Sequence, residues 1–155
     1  MATPAPISAE VEIAASPDRV WAVVSDVTRM PQWSPELRRL YAVGGRTPRV
    51  GMTLIGINRR GWVAWPTTSK VTRLEPQRAV AWKTRESGAT WTYELAETAT
   101  GTRLTSRRDL PSFTRGTTLL GPVIGGAEGH DVELAAGLRA TLERIKASIE
   151  AGPLA

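Results

Sequence analysis

One segment, residues 13–35, constrains the fold of this chain more than any other part of the sequence. Ser16 is suited to cap a helix, Pro17 fits the first helical position because no backbone N–H is needed there, and Asp18 places negative charge in the first turn. Apolar residues then recur at helical spacing, at Val20, Val23, Val24 and Val27. The pattern predicts a helix that begins after Ser16 and buries one face.

The residues on either side of this helix predict a strand before it and an interrupted helix after it. Val11 and Ile13 alternate with more polar neighbours, which is typical of a half-buried strand. Pro31 and Pro35 limit helix formation further along the chain. The second helix is therefore expected to be short and broken, and to carry Trp33.

Beyond Pro35 the sequence predicts a series of strands and then one long helix. The strands are expected at about residues 37–43, 52–60, 62–74, 79–85, 90–97 and 102–110, with short turn sequences between them that indicate an antiparallel meander. Pro66 predicts a bulge or an edge position in its strand. Residues 131–151 have helical periodicity, with an apolar side formed by Val132, Ala135, Ala136, Leu138, Leu142, Ile145 and Ile149.

Several of these motifs together resemble the SRPBCC superfamily, also called START-like or Bet v 1-like, and within it the polyketide cyclase/dehydrase and lipid transport group of actinobacterial type. The resemblance covers nearly the whole chain and is carried by residues 16–21, 25–27, 30–35, 56–61 with Trp65, and 75–78 with Ala81 and Trp82. It implies an α+β helix-grip fold, in which a curved antiparallel sheet of about seven strands wraps around a long C-terminal helix and two short helices follow the first strand. Function must then be argued from the site, because one fold hosts many activities.

Length and composition predict one domain. The chain has 155 residues, 41% of them apolar, which is enough for one core. Residues 1–155 are expected to form a single ligand-binding domain with a flexible tail at 1–6 and a lid at 112–129. No signal peptide or membrane span is visible, so the predicted location is cytoplasmic. With no Cys and one His, neither a metal nor another cofactor is predicted.

The formal net charge of +5 raises the question of an anionic partner. The basic residues are mostly arginines spread over several predicted elements, without a helix-turn-helix, zinc-finger or RNA-binding pattern. This distribution argues against nucleic acid. It fits either a solvated surface or a cavity mouth that attracts acidic ligands. The chain is expected to be a monomer or a homodimer.

Alternation along the predicted strands indicates which side chains face the interior, since residues two apart share a face. The inner face combines indole rings with neutral polar groups, which is typical of a ligand pocket, although each aromatic residue there also fits plain core packing. The predicted cavity residues are Trp33, Leu54, Asn58, Trp65, Thr67, Ser69, Trp82, Thr84, Trp91, Tyr93, Ser106 and Arg108.

Three of these residues have two interpretations each. Asn58 is either a hydrogen-bonding anchor for the nearby turn or a ligand contact. Arg108 is either the counter-charge of an anionic ligand or the partner of a carboxylate such as Asp26 or Glu36, because burial of an unpaired guanidinium is costly. Trp33 is either a gate at the cavity mouth or a plug over the core.

The predicted lid supplies candidate entrance residues. Its glycines make it a candidate mobile cover, with Leu119, Leu120, Val123 and His130 at the entrance. His130 can titrate near neutrality and act as an acid or a base. The favoured interpretation is a helix-start residue with Asp131 beside it, since no second titratable group lies at a fixed offset to form a catalytic pair.

No catalytic residue can be named, because the strand carboxylates do not fall on the inner face and no triad, phosphate-binding loop or metal motif occurs. The leading hypothesis is binding or transport of a hydrophobic or amphipathic small molecule, such as a lipid, fatty acid or polyketide-like compound. One alternative is a polyketide cyclase/dehydratase in which Arg108, Tyr93 and ordered water steer enolisation. A further alternative, implied by the resemblance, is a protein-interaction or toxin-like role.

Overall fold

The computed structural model of the chain describes residues 6–110 and 127–152, with side chains in the last helix from residue 132 onward. Strand β1 (Ile7–Ile13) is followed by helix α1 (Pro17–Val24) and a 3-10 helix (Val27–Gln32). Six strands come next: β2 (Leu37–Val43), β3 (Thr53–Arg60), β4 (Val63–Glu75), β5 (Ala79–Thr84), β6 (Thr90–Thr98) and β7 (Gly101–Asp109). Helix α2 (Ala127–Glu150) is the last element in the described part of the chain.

The seven strands form one curved antiparallel sheet in the order β1-β7-β6-β5-β4-β3-β2. Strands β2 to β7 are each paired with their sequence neighbours, and β1 closes the order by pairing with β7. Helix α2 packs against the inner face of the sheet, with its largest contact on β1. The predicted α+β helix-grip fold is confirmed.

Local predictions in the first segment are also confirmed. The side-chain oxygen of Ser16 accepts a hydrogen bond from the backbone N–H of Arg19, and Pro17 occupies the first turn of α1. The predicted broken helix is the 3-10 helix, which contains Pro31. Pro31 cannot donate a backbone hydrogen bond, which limits this helix to a short segment.

Pro66 lies in a part of β4 that pairs only with β3. It is opposite Ile57, whereas the pairing of β4 with β5 begins at Ser69. Pro66 therefore has the predicted edge position, where a residue without an N–H is tolerated. The irregularity in the β4–β5 pairing lies further along, between Val71 and Arg73, so the alternation of the preceding residues is preserved.

Helix α2 begins at Ala127, earlier than the predicted residue 131. Its buried apolar side chains are Leu138, Leu142, Ile145 and Ile149, as the pattern predicts. Val132 and Ala136 were expected on this apolar side and are instead exposed. Val132 is 72% exposed, because the early turns of the helix lie at the surface, where the adjacent Glu133 forms an ion pair with Arg60 of β3. Within the described ranges, no helix combines the length and the apolar composition needed to cross a bilayer.

Part of the predicted entrance lies outside the described residues. This applies to Leu119, Leu120 and Val123, to the side chain of His130, and to residues 112–126 of the predicted lid. Residues 127–129, which were also assigned to that lid, form the start of α2 instead.

Candidate functional site

A cavity of about 620 Å³ lies between the inner face of the sheet and α2. Trp65, Trp82 and Trp91 line it from three consecutive strands, β4, β5 and β6. Trp82 and Trp91 are directly opposite each other, and the rings of Trp82 and Tyr93 are 5.7 Å apart at a tilt of 51°, a favourable aromatic arrangement. Much of the apolar wall therefore consists of aromatic rings, and the volume lies in the range of small-molecule sites.

Small residues on α2 create this space. Gly137, Ala140 and Thr141 face the cavity, whereas the larger side chains further along the helix fill the core. A Cβ atom at Gly137 would lie 3.5 Å from Cγ of Pro35, with no other described heavy atom outside the helix backbone within 4 Å. The hydroxyl of Thr141 donates to the carbonyl of Gly137 at 2.7 Å, so its hydrogen-bonding need is met inside the helix.

The structure places all but one of the predicted cavity residues on the cavity wall: Leu54, Asn58, Trp65, Thr67, Ser69, Trp82, Thr84, Trp91, Tyr93, Ser106 and Arg108. They lie together because they occupy the same face of neighbouring strands. Sequence reasoning missed the wall contributed by the other elements, including Met30, Leu37, Leu40, Ser87, Ala89, Leu134, Gly137, Ala140 and Thr141. The small residues that α2 turns toward the sheet are the signal that would have identified this side of the helix.

Trp33 is the predicted cavity residue that the structure places elsewhere. Its side chain is buried in the hydrophobic core, where it does not line the cavity. The guanidinium of Arg29 lies 5.1 Å from the ring centroid, and Arg144 of α2 donates to the Trp33 carbonyl at 3.0 Å. Trp33 is therefore a plug over the core rather than a gate, because its contacts fasten the end of the 3-10 helix to α2.

Two polar pairs on the wall are hydrogen-bonded within the protein. Nδ2 of Asn58 donates to Oγ1 of Thr67 at 3.1 Å and to the carbonyl of Trp65 at 3.4 Å. The hydroxyls of Ser69 and Thr84 share a hydrogen bond of 2.9 Å. Asn58 thus anchors β3 to β4, as one of its two interpretations requires. Its amide oxygen makes no hydrogen bond with any described residue, so it can also accept one from a guest.

Arg108 contributes a positive charge to the wall. It lies on β7 between Ile7 of β1 and Trp91 of β6, and the residue is only 6% exposed. Its five N–H donors can serve more than one acceptor, and low solvent access strengthens such interactions. Of the two carboxylates considered as partners, Glu36 also lines the cavity, whereas Asp26 caps the 3-10 helix.

Tyr93 places a phenol at the cavity wall. Its hydroxyl donates to Sδ of Met30 at 3.5 Å, and the residue is buried. Burial raises the pKa of the Tyr93 phenol well above its usual range, and a hydrogen bond with Ser106, directly opposite on β7, offsets only part of this rise. The phenol is therefore a neutral hydrogen-bond donor at physiological pH.

The buried phenol predicts a loss of stability in alkaline solution. Above a pH of about 10 the unfolded chain releases the Tyr93 proton and the native chain retains it, so the free energy of unfolding falls by up to about 1.4 kcal/mol per pH unit. Urea unfolding at a series of pH values above about 10 should show this decrease in the free energy of unfolding, and the decrease should be smaller in Tyr93→Phe. Tyr41→Phe, at an exposed position, is the matched control and should leave it in place. An unchanged decrease in Tyr93→Phe would contradict this origin.

Charged side chains surround the exposed rim of the cavity. Arg38 and Arg59 line it and are exposed, and an ion pair between Arg60 and Glu133 joins the end of β3 to α2. Glu36 and Glu133 are the carboxylates among the described lining residues. No cluster of three or more acidic or histidine side chains that could hold a metal ion occurs in the parts of the chain that the structure describes.

Comparison with solved structures identifies proteins of the same fold. The di-domain aromatase/cyclase StfQ of the steffimycin biosynthetic pathway is 18% identical, with a TM-score of 0.74 over 94% of this chain and 50% of its own. The Zhui aromatase/cyclase from Streptomyces sp. R1128 is 18% identical, with a TM-score of 0.69 over 94% of this chain and 93% of its own. The polyketide-cyclase-like protein Cgl2372 of Corynebacterium glutamicum is 28% identical, with a TM-score of 0.61 over 91% and 88%. The chain spans about half the length of StfQ.

Family membership rests on a match to a sequence model. Curated protein sequences gave no significant match. The sequence model of the family described as polyketide cyclase/dehydrase and lipid transport matches residues 4–150, which is nearly the whole chain. The chain therefore belongs to the polyketide cyclase/dehydrase and lipid transport family.

Proposed function

We propose that this protein binds a hydrophobic or amphipathic small molecule in the cavity between the sheet and α2. The observation that carries the proposal is the cavity itself, with about 620 Å³ of space and three indole rings on its wall. Transfer of apolar ligand surface from water to such a wall contributes roughly 25 cal/mol per Å². A lipid, a fatty acid and a polyketide-like compound all offer the surface that this wall can cover.

The polar groups of the wall narrow the chemistry of the ligand. Arg108 can form a charge-assisted hydrogen bond with a carboxylate or an enolate. Tyr93 can donate its one O–H to a carbonyl in place of the weak acceptor Sδ of Met30. The amide oxygen of Asn58 can accept from a hydroxyl. We therefore favour a ligand with an apolar body and an acidic or carbonyl-bearing end. The predicted cytoplasmic location and the oligomeric state, monomer or homodimer, remain predictions.

A comparison of acid and alcohol ligands tests the role of Arg108. Binding of a long-chain fatty acid is expected to quench tryptophan fluorescence, since Trp65, Trp82 and Trp91 line the cavity. Arg108→Leu should weaken binding of the acid by about tenfold or more, because a hydrogen bond to a charged group contributes about 1.5–3 kcal/mol. Binding of the alcohol with the same chain length should change much less.

Arg107→Leu is the matched control for this experiment. Arg107 is the neighbouring residue on β7, but it is exposed on the other face of the sheet, where it pairs with Asp109 at 2.8 Å. Both variants lose one positive charge, so a difference between them isolates the effect inside the cavity. Thermal unfolding establishes that each variant is folded. If Arg108→Leu is not folded, Arg108→Gln is used in its place. Equal losses for acid and alcohol would remove the proposed role of Arg108, and no binding of either by the natural chain would count against the ligand-binding proposal.

A cyclase or dehydratase of polyketide type is the second candidate function. Family membership and the neutral phenol of Tyr93 beside Ser106 favour it, because donors fixed on a cavity wall can orient the carbonyls of a poly-β-ketone. The described lining residues include two carboxylates, Glu36 and Glu133, and Glu133 is exposed and paired with Arg60, so the described wall offers no pair of buried carboxylates for acid–base catalysis. Incubation with a poly-β-ketone thioester separates the two candidates: a binder returns it unchanged apart from spontaneous cyclisation, whereas an enzyme accelerates cyclisation and directs it to one product.

A further inference from the structure

The turn between β3 and β4 presents a tryptophan to solvent. Trp62 is 100% exposed, whereas the other tryptophans of the described chain are buried or half-buried. The preceding residue, Gly61, lines the rim of the cavity and adopts φ of +59°, a left-handed conformation that lets the tight turn form. The indole is therefore held at the tip of a hairpin beside the cavity mouth, where no described side chain covers it. Tryptophan is enriched at protein and membrane interfaces, because its ring has an apolar body and a polar N–H group.

Basic and apolar side chains surround this indole. Nε of Arg59 donates to the carbonyl of Gly61 at 3.0 Å, which holds the Arg59 guanidinium at the base of the turn. Arg60 pairs with Glu133, and that contact brings the exposed Val132 of α2 to the same side of the mouth. Arg38, Arg59, Arg60, Trp62 and Val132 are called the mouth surface below.

The charge of the mouth surface favours an anionic partner. Glu133 is paired with Arg60, and Glu36 is half-buried at the rim. Arg38 and Arg59 are exposed, and neither forms an ion pair with a described residue. The formal net charge of the whole chain is +5, so its longer-range field has the same sign.

We propose that the mouth surface docks on an anionic lipid bilayer. Tryptophan and arginine together suit the interface of a membrane, because the indole enters the headgroup region while the guanidinium groups meet phosphates and anionic headgroups. Docking in this orientation turns the cavity mouth toward the lipid. The proposal does not depend on the identity of the cavity ligand, since the mouth surface can bind a bilayer whether or not the cavity is filled.

A second apolar surface does not carry the same inference. Tyr41, Val43, Ile55 and Ile57 are exposed on the outer face of β2 and β3. These residues lie on the face of the sheet opposite the cavity. Among the described residues nothing shows what would cover them, so association of two copies through this face enters only as an outcome of the experiment.

Vesicle flotation with the full chain tests the proposal. The chain is expected to float with vesicles of phosphatidylcholine mixed with phosphatidylserine, and much less with phosphatidylcholine alone. Trp62→Ala should lower the partition coefficient at least fivefold, and Arg59→Gln by about fivefold, the effect expected of one basic residue near an anionic surface. Added salt should weaken binding of the natural chain, since surface charges are screened.

The controls distinguish docking through the mouth surface from general attraction of a basic protein. Lys83→Gln removes a positive charge from the outer face, where Lys83 lies opposite Lys70, and should change partitioning less than twofold if docking uses the mouth. Trp62→Tyr keeps an interfacial aromatic ring and should retain most of the binding. Because Trp62 is fully exposed, thermal unfolding of Trp62→Ala should match the natural chain.

Four results would overturn the proposal. They are no flotation of the natural chain, equal flotation with neutral and anionic vesicles, equal losses in Arg59→Gln and Lys83→Gln, and unchanged flotation of Trp62→Ala. Sedimentation without lipid is the remaining measurement. If the natural chain is a dimer and Trp62→Ala makes it dissociate, the mouth surface binds a second copy of the chain, and the proposal is overturned. If the natural chain is a monomer and the substitution does not change this, the proposal is supported.

Discussion

Gly137→Phe is expected to weaken binding of an apolar probe by about a hundredfold without destabilising the chain. A hundredfold loss of affinity corresponds to the upper end of the free-energy cost of overpacking a filled site. Position 137 faces the cavity from α2, and beyond its own helix the one described atom that its Cβ would meet is Cγ of Pro35, at an ordinary contact distance of 3.5 Å. The aromatic ring can therefore enter the empty cavity instead of displacing core side chains. Replacement of an interior helical glycine should itself stabilise the helix by about 0.5 kcal/mol.

Gly137→Ala is the matched control at the same position. It should increase the free energy of unfolding by up to about 1 kcal/mol, because alanine is the better helix former. It adds one methyl group to a cavity of about 620 Å³, so the affinity for the probe should fall much less than in Gly137→Phe. Titration with an anilinonaphthalene sulfonate and urea unfolding give the two quantities. Unchanged probe affinity in Gly137→Phe would show that the probe binds elsewhere, and a large loss of stability would show that the space beside α2 is not empty.

Much of the sheet side of the site could be predicted from the sequence. One face of each strand is buried against the interior, so a period of two fixes which side chains are neighbours across strands. Trp82 and Trp91 illustrate this, since alternation alone assigned both to the inner face and the structure pairs them directly. The turn residues between strands set the strand ends closely enough to preserve that alternation. The alternation is also preserved at Pro66, because this residue lies in the part of β4 that does not pair with β5.

The helical side of the site could not be predicted in the same way. Hydrophobic periodicity separates an apolar face from a polar face, but it does not distinguish a face that fills a core from one that borders a void. Val132 fits the apolar stripe of α2 and is nevertheless exposed, whereas Glu133 reaches the rim of the cavity. Trp33 is a related case, because a tryptophan after a broken helix is equally compatible with a mouth and with a core. Only its contacts with Arg29 and Arg144 decide between these positions.

Gly101→Ala should produce a large loss of stability, about 3 kcal/mol or more, because it combines backbone strain with overlap of main-chain atoms. Gly101 opens β7 with φ of +155°, a conformation that side chains rarely allow. A Cβ atom there would overlap the carbonyl oxygen of Ile13 and would lie 3.0 Å from the backbone nitrogen of Ala15. These neighbours are backbone atoms at the end of β1, so no side-chain rotation can relieve the overlap.

The same contact connects the sheet to the start of α1. Thr102, fully buried beside Gly101, donates its hydroxyl to the carbonyl of Ala15 at 2.7 Å, one residue before the helix cap. A shift of β7 away from β1 would therefore disturb both the strand pairing and the entry into the helix. Gly61→Ala is the control, because φ there is +59° but no described atom beyond the two chain neighbours lies within 4 Å of the added Cβ, so its cost should stay near 1 kcal/mol. Urea unfolding of both variants measures the difference, and similar losses would mean that backbone conformation alone, rather than the close approach to Ile13, sets the requirement for glycine at position 101.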